Sequence, residues 1–329
     1  MRRNKIYLIF LGTMVFCSVI LLWRINNNEI CNTKKSELKP KIVLLAHVYQ
    51  NPYWWYVKKG AEDAAKERGA VIEYNGPQAA SIKTGIKLID VAIASKVSGI
   101  ITYVQDEDEY TPYINKAVAK GIPVVTVDSD AKKSKRLGYI GTDNIKAGEK
   151  AAEELISRVG VSGRVAIIMG GKEVKNQIER VKGFTDYLKK YSNIKITTIE
   201  SSGSYALEAE LGTKKILKSN EKIDALFCTS ALDGVGAAKA VNDLNMAGKI
   251  NIICFDDLPE TIENIKKGIV CAAIVQKPYE MGYRSVNMIM DNLQGKNIQG
   301  DYLTNVLVLS GKNIHYYTRY EGEQNSEQK

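Results

Sequence analysis

Histidine is almost missing from this sequence: 329 residues hold only His47 and His315. That excludes a His-rich metal cluster, and a Ser/His/Asp or Cys/His catalytic centre would have to use one of these two as its base. No Cys-x-x-Cys pair occurs, so zinc-finger and thioredoxin-type readings have no support. Five cysteines are an odd number, which rules out a complete intramolecular disulfide framework. There is no P-loop, and the run GVGAAK at 234–239 lacks the third glycine of a dinucleotide fingerprint. Nucleotide hydrolysis therefore has no motif to rest on.

What is present is ordinary for a globular chain: 45% hydrophobic and 25% charged residues, with a length that suits about two domains. The net charge of +9 admits three readings: nucleic acid, an anionic membrane surface, or Lys-rich solvated helices. The lysines are interleaved with Glu and Asp almost everywhere, which favours the solvated helices.

Residues 6–23 (IYLIFLGTMVFCSVILLW) carry no charge over 18 positions, near the lower limit for crossing a bilayer core of about 30 Å. Arg2, Arg3 and Lys5 precede the run, which by the positive-inside rule keeps the N-terminus in the cytoplasm and sends the rest outside. Trp23 stands where an interfacial anchor would. A cleaved signal peptide should show a small-x-small site after the run, but Trp23-Arg24-Ile25 follows instead. A lipoprotein signal on Cys17 wants a small residue before it, where Phe16 stands. An uncleaved transmembrane helix is therefore expected, then a polar tether over 24–40 that includes Cys31. The result is a single-pass cell-membrane protein with its main body extracellular.

From residue 41 onward, short apolar runs alternate with amphipathic stretches. IVLLA (42–46) reads as a buried strand. Asn51 and Pro52 then supply the N-cap and first position of a helix that Gly69 stops. Further strands are expected at 71–74, 99–103, 124–127, 139–140, 165–169, 194–199, 225–228, 250–255 and 270–275. Helices are expected at 82–96, 146–159, 179–191, 206–218, 234–247, 259–267 and 278–293. This rhythm implies an α/β fold with parallel sheets covered by helices; about 285 residues suit two lobes, with a (β/α)8 barrel as runner-up. Cys228, Cys254 and Cys271 lie in strand-like runs and read as small buried apolar residues. The run at 315–320 (HYYTRY) reads as a terminal packing segment.

Ligands bind beyond the carboxyl ends of such strands. Those positions hold carboxylates, amides, hydroxyls and aromatics, with no activated nucleophile. Polyhydroxylated ligands need this mixture. Asp128, Asp256, Asn51, Asn176 and Gln276 suit sugar hydroxyls, and Trp54, Tyr53 and Tyr205 offer rings for the apolar face of a sugar. Each has a blander reading: an Asp after a strand is often a helix cap, and a Trp at a helix start is often core. Trp54 and Trp55 are adjacent, so at most one faces inward.

Six motifs in order resemble the periplasmic ribose-binding-protein and LacI-repressor sugar-binding family over roughly 41–320. They are YQNPYW (49–54), GIPVVTVDSD (121–130), GYIGTDNIKAGEKAAEEL (138–155), ERVKGF (179–184), IICFDDLPE (252–260) and AAIVQKPYEMG (272–282). The resemblance implies a type I periplasmic binding protein: two Rossmann-like lobes joined by three hinge crossings, with sugar in the cleft. The lobes would be 41–142 plus 277–306 and 143–276 plus 307–329. It places ligand contacts at His47, Asn51, Tyr53, Trp54, Asp128, Ser129, Asn176, Tyr205, Ser230, Asp256 and Gln276. Ser129 stands where the family commonly has Arg, Ile178 where a ligand Arg is common, and Ser230 where Asn is frequent; Asn176 matches xylose-binding relatives. Repressors carry a helix-turn-helix where this chain has an apolar span, so no nucleic-acid partner is expected. The resemblance points instead to a non-enzymatic, cofactor-free receptor for a monosaccharide, xylose foremost. It would report to a membrane-bound histidine kinase, or, as the alternative, serve the permease of a sugar ABC importer.

Overall fold

The protein was analysed as a computed structural model, which describes residues 14–20, 23, 39–219 and 221–318. The chain divides into a unit of residues 1–39 and one of residues 40–329. In the first unit, residues 14–20 and 23 are helical. Most of the expected span at 6–23, the tether at 24–38 with Cys31, and residues 319–329 lie outside the described residues. Among the described residues no helix is long and apolar enough to cross a membrane.

The second unit alternates strand and helix. Its first half runs β1 (Lys41–Leu45), α1 (Pro52–Arg68), β2 (Val71–Asn75), α2 (Ile82–Ala94), β3 (Gly99–Thr102), α3 (Glu107–Ala119), β4 (Val124–Val127) and β5 (Gly138–Thr142). It continues with α4 (Asn144–Val159), β6 (Ser162–Met169), α5 (Lys175–Leu188), β7 (Asn193–Ser201), α6 (Ala206–Leu217), β8 (Ala225–Cys228), α7 (Ala231–Asp243), β9 (Asn251–Phe255), α8 (Pro259–Lys266) and β10 (Ala272–Val275). The last elements are α9 (Pro278–Leu293), β11 (Tyr302–Thr304), β12 (Leu307–Ser310) and a short 3-10 turn, Ile314–Tyr316.

Two six-stranded sheets result, ordered β11-β5-β4-β3-β1-β2 and β12-β10-β9-β8-β6-β7. Every strand pair is parallel except β10–β12. The chain passes between the sheets three times: after Thr142, after Val275, and between Thr304 and Leu307. These are the two parallel-sheet lobes expected from the sequence rather than a closed barrel. Helix α3 and strands β11 and β12 were not foreseen. Helix α3 opens Glu-Asp-Glu with Pro112 inside it, and the two strands are only 3 and 4 residues long. Such elements take their stability from packing more than from local pattern.

Each sheet is buried on both faces, which is why its strands read as continuous apolar runs. In β1, Ile42 and Leu44 pack with Trp54 and Val57 of α1 and Met281 of α9. Val43 and Leu45 pack on the other side with Ile89, Ile93, Tyr110 and Ile114. The second sheet is built alike, with Leu226 and Cys254 in one core and Phe227 and Phe255 in the other. Helix α1 is capped as its sequence predicts: Asn51 accepts from the Tyr53 N–H, Pro52 opens the helix, and Gly69 ends it at φ 70°.

Candidate functional site

An inner strand of each sheet is followed by an aspartate. Asp128 follows β4 and Asp256 follows β9, both with left-handed backbone at φ 66° and 65°. Their N–H groups donate in matching fashion, Asp128 to the Ile140 carbonyl and Asp256 to the Ile274 carbonyl, each at 3.0 Å. Aspartate tolerates this conformation better than most residues, and a non-glycine residue held there is constrained by its surroundings. Neither carboxylate caps a helix: β5 follows Asp128, and the N-cap of α8 is Leu258.

Both aspartates line a cavity of about 40 Å³ at the strand ends, together with His47, Asn51, Tyr53, Trp54, Asn176, Ser230 and Gln276. The cavity thus gathers nine of the eleven expected ligand residues. Ser129 and Tyr205 are not among its lining residues. Ser129 is buried with its backbone N–H turned to the Val127 carbonyl, and Tyr205 is half exposed at the start of α6. Tyr103, Gln177, Arg180, Ser204 and Ala231 line the cavity without having been singled out. The ERVKGF run was read as a motif, yet its arginine carried no signal of an inward direction until α5 was placed.

A larger cavity of about 650 Å³ lies beside α9, lined by Tyr56, Tyr279, Tyr283, Tyr302 and Met288 among others. Size favours it, but it lacks the two buried carboxylates and the convergent amides. Specific polar recognition depends on such groups, so the smaller cavity is the candidate site.

Within the cleft, the Tyr53 hydroxyl donates to Asp128 Oδ1 at 2.7 Å and Asn176 Nδ2 donates to Asp128 Oδ2 at 2.8 Å. The second bond joins the two lobes. Gln276 Nε2 donates to Asp256 Oδ1 at 3.0 Å. Burial pushes the Asp256 carboxyl up to about 7 against the pull of the nearby Arg180 guanidinium. Burial likewise raises Asp128, again opposed by Arg180. His47 lies 4.5 Å from the Tyr103 ring, and burial lowers its imidazole to about 4, so it is neutral at physiological pH. Trp54 is buried edge-on to Tyr53 and Tyr103, while Trp55 is exposed. Two buried polar atoms at the cavity, His47 Nε2 and Asn176 Oδ1, have no protein partner. A buried polar atom costs free energy unless it is hydrogen-bonded, so these atoms suit ligand hydroxyls. Among the described residues no group of three His, Cys, Asp or Glu side chains could hold a metal ion.

Helix α5, which carries Asn176 and Arg180, is held close to α4 by two glycines. A Cβ on Gly148 would meet the Arg180 carbonyl oxygen at 2.1 Å, and one on Gly183 the Ile145 carbonyl oxygen at 2.0 Å.

The model of the periplasmic binding protein domain matches residues 42–297. The chain belongs to the periplasmic binding protein family. Among solved structures, XylFII is 57% identical, with a TM-score of 0.80 over 83% of this chain and 99% of that one. A XylFII-LytSN complex gives 57% identity and a TM-score of 0.81 over 84% and 99%. The D-allose-binding periplasmic protein of Escherichia coli K12 is 27% identical over 250 residues, 73% of this chain and 80% of that protein. The ribose import binding protein RbsB of Bacillus subtilis is 27% identical over 259 residues, 78% and 83%. The family and these relatives are binding proteins, not enzymes.

Proposed function

We propose that this chain is a membrane-anchored extracytoplasmic receptor for a monosaccharide, D-xylose foremost, that signals occupancy to a partner histidine kinase. The observation that carries the sugar reading is the facing pair Asp128 and Asp256, buried at equivalent strand ends beside Asn176, Gln276 and the ring of Trp54. Carboxylates and amides accept from and donate to hydroxyls, and Trp54 supplies an apolar ring. In this reading Asp128, Trp54, Tyr53, Asn51 and His47 belong to one lobe, Asn176, Ser230 and Asp256 to the other, and Gln276 to the crossing between them. Sugar bound to both lobes favours their closed arrangement, to the extent that it binds that arrangement more tightly. A kinase sensor domain that recognises the closed surface then reads occupancy.

The similarity to XylFII supports xylose, and the XylFII-LytSN complex supports a signalling partner. The uncharged run at 6–23 supports the anchor. The second reading is the receptor of a sugar importer, favoured by the likeness to the ribose import binding protein. Calorimetric titration of the purified full-length protein with D-xylose, D-ribose, D-arabinose, D-glucose and D-galactose tests sugar binding; no heat with any of them refutes it. Mass analysis of the membrane-bound protein separates the two roles. An intact N-terminus supports the anchored sensor, and a lipidated Cys17 or a shortened chain supports the importer.

A further inference from the structure

Asp233 is fully buried in the first turn of α7 and is not part of the cavity wall. By spacing it is an ordinary capping-box acid, three residues after the N-cap Ser230, whose Oγ accepts the Asp233 N–H at 3.3 Å. A cap on a surface helix faces water; this one faces two other loops. Ser202 Oγ, after β7, donates to Asp233 Oδ1, and Thr229 Oγ1, after β8, lies 3.3 Å from Asp233 Oδ2. Each hydroxyl is bonded onward to a segment that lines the cavity. Ser202 Oγ accepts the Ser204 N–H at 3.1 Å, in a turn where Gly203 and Ser204 are both left-handed, at φ 61° and 64°. Thr229 Oγ1 donates to Gln177 Oε1 at 2.9 Å, and the same oxygen accepts the Gly170 N–H. A Cβ on Gly170 would meet Ser204 Oγ at 2.3 Å and Gln177 Nε2 at 2.6 Å, so the three loops converge over that glycine.

We propose that Asp233 is a positioning residue for the wall that α5, α6 and α7 give the sugar site: it locks the turn at 202–205 and, through Thr229, the Gln177 side chain. With two donors held at its oxygen, the Gln177 amide cannot flip, so it presents Nε2 to the cavity, a donor rather than an acceptor. The turn is held in the same way, since a non-glycine residue such as Ser204 keeps left-handed backbone only where its surroundings fix it. Asp233 acts through these groups from outside the cavity. A buried polar network fixes geometry while every member is bonded and loosens when one is removed.

This inference rests on the sugar reading above. The test is D-xylose titration of the full-length protein and of its Asp233→Leu, Asp233→Asn, Gln177→Met and Asp233→Leu/Gln177→Met forms, with circular dichroism melts to confirm folding. Asp233→Leu keeps the size of the side chain and removes both hydroxyl bonds; it is expected to weaken binding about 5- to 30-fold, as loss of one or two buried hydrogen bonds does. Asp233→Asn keeps an oxygen for Ser202 and an amino group for Thr229, and is expected to bind within about threefold of wild type. The double form is expected to lose clearly less than the product of the two single losses, because Asp233 acts partly through Gln177. An Asp233→Leu protein that binds like wild type, an Asp233→Asn protein as weak as Asp233→Leu, or single losses that multiply each overturn the inference. Absence of binding by wild type to D-xylose and the other four sugars refutes the sugar reading itself. If Asp233→Leu does not fold, Thr229→Val takes its place. It should weaken binding several-fold when Gln177 is present and not at all in the Gln177→Met background, and equal losses in both backgrounds overturn the inference.

Discussion

Asp256 concentrates the electrostatic cost of the cleft. Its carboxyl titrates near 7 in the folded protein, against about 3.9 in an unfolded chain, so the folded state holds that proton more tightly. Its contribution to stability is fully present below about pH 4 and is lost as pH rises through 7. In the sugar-free protein, Asp256→Asn is expected to gain stability over wild type progressively between about pH 4 and 7, then level off, by up to about 4 kcal/mol. Urea unfolding midpoints across that range measure it, and a constant difference contradicts it. In the proposed sugar reading the same carboxylate carries binding, so Asp256→Ala should cost about 2–5 kcal/mol of sugar affinity by calorimetry. On that reading stability is given up for a charged acceptor. At this scale the sequence showed which residue types stand after which strand, and so marked Asp128, Asp256 and Asn176. It could not show Arg180, because an arginine in an amphipathic helix looks the same facing water or a hinge.

Helix pairs decide where those side chains end up. Gly282 and Gly60 bring α9 against α1 as Gly148 and Gly183 bring α5 against α4; a Cβ on Gly282 would sit 1.9 Å from the Val57 carbonyl oxygen. Gly282→Ala and Gly183→Ala are each expected to cost about 1–3 kcal/mol in urea unfolding, since a methyl there forces the helices apart. Gly183→Ala should also weaken sugar binding, because α5 carries Asn176; unchanged affinity would separate helix spacing from the site. At the rim, Lys175 at the start of α5 pairs with Glu107 of α3 at 2.8 Å across the two lobes, both largely shielded. Lys175→Ala is expected to lower xylose affinity about two- to fivefold, an effect that shrinks at high salt. Equal loss at low and high salt would rule out an ion-pair latch. The capped helix α1 was legible because Asn51, Pro52 and Gly69 are local signals. The glycine contacts were not, because nothing in a sequence says which helix a glycine meets.

For the whole molecule, a ligand that binds only the folded state adds about 2.7 kcal/mol at 100 times its dissociation constant. With D-xylose at that level the thermal midpoint should rise by roughly 5–10 °C, and in Asp256→Ala at the same concentration by much less. No rise in wild type with any of the five sugars would contradict the receptor reading. The +9 charge plays little part. Lysines such as Lys59, Lys150, Lys182 and Lys266 pair with a carboxylate three or four residues away on their own helix, as solvated helix faces do.

By itself the sequence determined the α/β alternation, the strand ends that carry polar groups, and the absence of catalytic and metal motifs. These follow from short-range rules of period, capping and composition, which act over a few residues. Only the tertiary structure decided that Asn176 reaches Asp128, that Arg180 joins Asn144, Thr229 and Gln276, and that Ser129 and Tyr205 stay off the cavity wall. Those relations join residues 36 to 96 positions apart. Distances across such separations are set by how sheets and helices pack around glycines and buried rings, not by any local pattern in the chain.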